Sequence, residues 1–273
     1  MAFAPRNKQN AIAEVAFVIT LAATPEEHKI KAFLDTHEAD WSDDLPIKEE
    51  LRGQKFQFGP NLADGPKFIA GSLSGARFRT LQRDGSLDWQ VAIEDQLLKV
   101  NCGSYTRWAN VWPTAKDYLQ RLVQSFVSET TSITSLGLEY IDEFVWTGDL
   151  SEYDVSSVFD PKSEYFLSRM CNAGYLWHLH QGWFTQDGLP KGDRRLERIH
   201  IDALEEGPNI RYPTRIASTL RHDLGQVVDD PDYLFTSTEG KGFVDSSFVS
   251  MHERNKQILK SLLTEEMAAR IGL

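Results

Sequence analysis

The sequence predicts an α+β fold: two antiparallel β-meander sheets, each backed by a long helix, in pseudo-duplicated halves of residues 1–150 and 151–273. Three observations carry that reading. Residues 76–82, 87–93 and 97–102 alternate apolar with polar side chains, the period of half-buried strands, and an amphipathic helix near 115–130 follows them. Residues 175–184, 196–204 and 215–224 repeat the order ahead of a second helix near 247–263. Runs of strands closed by a helix favour antiparallel sheets over the parallel sheets that strict strand–helix alternation builds.

Taken in order, Val15, Phe17, Ile19 and Leu21 alternate with Glu14, Ala16, Val18 and Thr20, so the apolar stretch after Arg6 and Lys8 is expected to be a strand rather than a secretory leader. Thr24-Pro25-Glu26-Glu27 predicts a helix start, with threonine as cap and proline at the first helical position. Residues 43–66 are rich in charge, proline and glycine and are expected to be irregular, with at most one short strand. Asp84-Gly85 marks a tight hairpin turn, since glycine accepts the positive φ such turns demand. Trp112-Pro113-Thr114 is expected to open the first long helix, whose stripe is Tyr118, Leu119, Leu122, Val123, Phe126 and Val127. Residues 133–146 read as a further strand, 148–162 as the joint between the halves, and 186–193 and 229–242 as long loops. Asp245 or Ser246 should cap the final long helix, and Thr264 should start a short terminal one.

The chain has 273 residues, with 29 Lys and Arg against 40 Asp and Glu, a formal charge of −11. A surface of that sign repels phosphate backbones, which argues against nucleic acid and anionic membrane as partners. A basic partner protein, or a cationic or neutral small ligand, fits the charge better, and self-association is compatible with it. Cys102 and Cys171 suggest no disulfide framework and point to the cytoplasm.

Three stretches together carry a family resemblance. With Ile12-Ala13-Glu14-Val15-Ala16-Phe17 at the start, Leu136-Gly137-Leu138-Glu139-Tyr140-Ile141-Asp142-Glu143-Phe144 at the centre, and Phe248 and His252-Glu253 in the final helix, the chain resembles a sporadically distributed bacterial family of unknown function that carries only a placeholder name. Glu139 stands where that family has arginine and Asp142 where it has asparagine. The resemblance implies an α+β protein of the kind found among mobile or host-defence genes, and no catalytic residue.

Among chemistry-bearing residues, His178 and His180 share one face of a strand, and His200 and Asp202 share a face of the next. If the register brings those faces together, the four could hold a divalent metal and activate water. The alternative is a row of ordinary polar residues on a sheet surface. Lys191, Arg194, Arg195 and Arg198 form the densest basic patch, suited to an anion, with Asp187, Asp193 and Glu197 interleaved. Tyr105, Arg107 and Trp108 could line a ligand mouth or anchor an interface, and Trp177 and Trp183 could wall a pocket beneath the last helix. Glu139 and Glu143 are expected to be solvated. Gly71-Ser72-Leu73-Ser74-Gly75 places leucine where a nucleophile elbow needs serine, and Gly240-Lys241-Gly242 lacks phosphate-loop spacing, so no cofactor is called for.

These readings favour a non-enzymatic interaction protein, a partner or neutralising subunit in a mobile defence or toxin-associated system. A metal-dependent hydrolase and a small-ligand sensor are the alternatives.

Overall fold

The computed structural model describes residues 2–7, 9–58, 66–128, 131–207, 210–228, 234–235 and 242–273. The strands are β1 (Phe3–Pro5), β2 (Ile12–Leu21), β3 (Ile47–Phe58), β4 (Pro66–Leu81), β5 (Leu87–Glu94), β6 (Leu97–Cys102), β7 (Ile133–Trp146), β8 (Trp177–Thr185), β9 (Arg194–Ala203) and β10 (Tyr212–Val228). The helices are α1 (Glu27–Trp41), α2 (Trp108–Phe126), α3 (Phe243–Leu262) and α4 (Glu265–Arg270).

All ten strands join one antiparallel sheet in the order β3-β4-β5-β6-β2-β7-β10-β9-β8, with β1 beside the end of β7. The expectation of two separate sheets is therefore corrected. The two predicted meanders, β4-β5-β6 and β8-β9-β10, do form, and the last strand of each returns against a central strand, β6 on β2 and β10 on β7, both of which come from residues 1–150. The free sides of β2 and β7 then pair with each other, Val15 opposite Tyr140, Phe17 opposite Leu138 and Ile19 opposite Leu136. Both strands carry large apolar residues in the same phase, so pairing removes two unsatisfied edges and extends one buried face.

That face can be followed across the sheet through Phe78, Val91, Val100, Phe17, Leu138, Leu220, Glu197 and Trp183, each directly opposite the next. The long helices pack on it: Phe33 of α1 meets Phe78, and Trp112 of α2 and Phe248 of α3 meet Phe17. Two apolar clusters result, one under α1, α2 and the start of α3, the other between β7–β9, the end of α3 and α4.

Several local expectations change for physical reasons. The stretch read as irregular contains β3, which pairs with β4 from Ile47↔Arg79 to Phe58↔Pro66; its charged sequence suits an end strand, where charge discourages further pairing. Residues 59–65 lie outside the described set, as does the loop expected over 229–242 except for 234, 235 and 242. Helix α1 begins at Glu27 after an uncapped Glu26, not at the Thr24-Pro25 signal. Helix α2 begins at Trp108 with Pro113 inside it, because Trp108 and Trp112 both find ring partners on α3. Asp245 does not cap α3, which starts at Phe243 behind Gly242; its carboxylate instead accepts from Trp112 Nε1 at 2.9 Å and pairs with Lys116. Gly85 has φ of 83°, and Thr264 accepts from the Met267 amide, as the sequence suggests. Residues 148–162 form two aspartate-capped 3₁₀ turns, and Phe159 bridges to Leu263.

Candidate ligand-binding site

The strand period puts Leu136, Leu138, Tyr140, Asp142, Phe144 and Trp146 of β7 on the helix side of the sheet. Five of the six are apolar or aromatic. The row enters the first cluster at Tyr140 and the second at Phe144, so Asp142 occupies the seam between them. Its strand partners are Ile12 and Ile216, and it is 1% exposed.

Above this seam α3 presents His252, Asn255, Lys256 and Leu259, spaced to share one helix face. The start of α2 brings Tyr105, Arg107 and Trp108 to the same place. These groups and the segment 271–273 enclose a cavity of about 420 Å³. Its polar interior is organised by aromatic contacts. The Trp108 ring stacks on His252 at 4.2 Å, the Tyr140 hydroxyl and His252 Nδ1 share a hydrogen bond of 2.8 Å, and the Tyr105 ring meets Tyr140 edge-on at 6.3 Å.

Burial sets the protonation states. It pushes Asp142 up to about 7 and His252 down to about 4. It also raises Tyr105 and Tyr140, with the charge of Asp142 adding to both, so their hydroxyls keep their protons at neutral pH. Asp142 Oδ2 and Asn255 Oδ1 are buried with no hydrogen-bond partner. At the rim, Lys256 is paired with Glu253 at 3.2 Å.

The residues singled out from sequence are distributed differently. Tyr105, Arg107 and Trp108 line the cavity. Trp177 and Trp183 flank the second apolar cluster; Trp183 stacks on Tyr165 at 5.1 Å and donates to Glu197 at 3.1 Å. Arg194 and Arg195 point to opposite faces: Arg194 pairs with Asp223 at 3.0 Å over the ring of Phe184, while buried Arg195 pairs with Glu197 at 3.0 Å. Alternation thus splits the basic patch. The hairpin register places His180 opposite His200 and His178 opposite Asp202, on the sheet face away from the helices. There the two rings stack at 5.1 Å and His200 pairs with Asp202 at 3.1 Å. Among the described residues no three His, Cys, Asp or Glu side chains converge as metal ligands do.

Glu143 is not solvated, contrary to expectation. It is 2% exposed and bound by Arg6 at 3.1 Å, Arg215 at 2.8 Å and Arg211 at 3.5 Å. Cys102 is buried, and that burial pushes its thiol up to about 11, leaving a packing residue rather than a nucleophile. Asp142 and Asn255 escaped the sequence reading as site residues. The available signal was an acid inside an otherwise apolar strand row. No protein-family model matches the chain, and no curated protein matches it.

Proposed function

We propose that this protein binds a small ligand in the cavity between α2, α3 and β7. One observation carries the reading: a fully buried carboxyl without a hydrogen-bond partner faces a ligand-sized space. Leaving such a group unmet costs about 1–3 kcal/mol, and a bound molecule can offset that cost. Of the readings the sequence leaves open, this supports the sensor, with its walls moved from Trp177 and Trp183 to Tyr105, Trp108 and Tyr140. The His178, His180, His200 and Asp202 group sits on the sheet surface away from this cavity, which leaves the hydrolase without comparable support. The family resemblance would set such a sensor in a mobile defence or toxin-associated system, reporting its ligand to a partner protein.

A fragment screen by NMR tests the proposal. Binders should perturb the His252 ring and the Trp108 indole together. Fragments that bind only elsewhere, or none that bind, would overturn it.

A further inference from the structure

Resting on that reading, we infer that the ligand is a small organic ammonium whose N–H groups are received by Asp142 and Asn255 and whose body lies along Tyr105 and Tyr140. The buried acids set Asp142 apart. Five are buried among the described residues: Asp142, Glu143, Asp193, Glu197 and Asp245. Four are matched to donors from the chain itself. Glu143 has its arginines, Glu197 receives Arg254 and Arg195, Asp193 pairs with His222 at 2.7 Å, and Asp245 holds Trp112 and Lys116. The Asp142 carboxyl alone makes neither a hydrogen bond nor an ion pair with a described residue.

Both orphaned atoms in the cavity are acceptors, so the complementary molecule must bring donors. A carboxylate or phosphate would bring more acceptors and a repelling charge. A neutral hydroxyl could satisfy one oxygen but leaves the carboxylate uncompensated in a low-dielectric site. An ammonium brings up to three donors and the opposite charge.

Two cations line the cavity, exposed Arg107 at the mouth and Lys256, and neither makes a hydrogen bond or ion pair with the Asp142 carboxyl. Lys256 at the rim is already engaged by Glu253, and His252, pushed down to about 4 by burial, is neutral at physiological pH. Tyr105 and Tyr140 contribute aromatic walls, which attract organic cations through the negative potential of the ring face. The overall charge of −11, compatible with a basic partner or a cationic or neutral ligand, also draws a cation toward the site.

Three compounds of one shape separate the possibilities: benzylamine, benzyl alcohol and benzoate, titrated at about pH 8, where a carboxyl raised to about 7 is ionised. Benzylamine should shift the His252 and Trp108 signals, benzoate should not, and Asp142→Asn should weaken benzylamine at least about tenfold while the fold is retained by circular dichroism. Equal or better binding of benzyl alcohol or benzoate, or unchanged benzylamine affinity in Asp142→Asn, would overturn the cation assignment and leave the cavity as a site for another ligand. Silence from all three would also overturn it. Only if the fragment screen is silent too does the ligand-binding reading fall with it.

Discussion

Asp142 and Glu143 are consecutive residues of one central strand, equally removed from solvent, and their surroundings are opposites. Glu143 points to the uncovered side of the sheet, where guanidinium groups from residue 6, residue 211 and β10 reach it along the surface. Burial works against its charge, but Arg215 and then Arg6 outweigh that and hold its pKa below the ordinary carboxylate value. Asp142 points under the helices, where Tyr105, Tyr140 and His252 carry no charge to offer it. Burial acts there without opposition. One step along a strand therefore separates an acid that the fold has completed from one that it has left open.

The comparison breaks by loss of stability at Glu143. Glu143→Ala leaves Arg6 and Arg211 without their acid and Arg215 with Glu206 alone; because these guanidinium groups are partly exposed, the loss should be about 1–3 kcal/mol in urea unfolding.

Asp142→Asn should act in the other direction. The folded pKa lies above the ordinary 3.8, at about 7, so the native state keeps a proton that the unfolded chain releases. Stability from this group is complete below about pH 4 and is lost as pH rises through about 7. Asparagine never ionises. The variant should match the wild type near pH 4 and exceed it by something of the order of 4 kcal/mol above pH 7, a difference readable by paired denaturation curves. A more stable protein that binds benzylamine less well would be the sharpest form of the contrast.

His252→Phe keeps a ring against Trp108 and deletes the hydrogen bond to Tyr140, at a cost of about 1 kcal/mol. The native imidazole should also show no titration by NMR above about pH 5, since its pKa is lowered to about 4. The unfolded chain takes up that proton first, so the stability from neutral His252 is present above about 6.5 and is lost as pH falls toward about 4. The smallest effect belongs to Arg194→Ala on the uncovered face. Its partner Asp223 is also held by Arg221, and the change should stay within about 0.5 kcal/mol by thermal denaturation.

Much of the fold was legible because periodicity reports which residues are buried. The β7 range, the Asp84-Gly85 turn and the faces of the long helices all follow from side-chain spacing. Strand alternation also shows that Asp142 and Glu143 face opposite ways. It does not show which face the helices cover or which strand lies alongside, and those two facts decide between two sheets and one. The Trp108 start of α2 was hidden by Pro113, whose usual place is the first turn, because a distant α3 supplied the stabilising contacts. Tyr105, Arg107 and Trp108, which the structure brings to one cavity, were singled out by aromatic and basic clustering. Asn255 was not, because an amide on an amphipathic helix carries no sign of what it will face.

The pairing of β2 with β7 also dictates a timetable. Thr20 and Ser135 are hydrogen-bonded although they stand 115 positions apart in the chain, so the middle of the sheet closes over a long loop. Such long-range closure is slow compared with helix or hairpin formation. During synthesis β2 can rest against β6 as soon as that strand emerges, yet its other side stays bare until β7 leaves the ribosome. For that interval the nascent protein carries the unpaired backbone edge of β2, an edge open to wrong strand pairing.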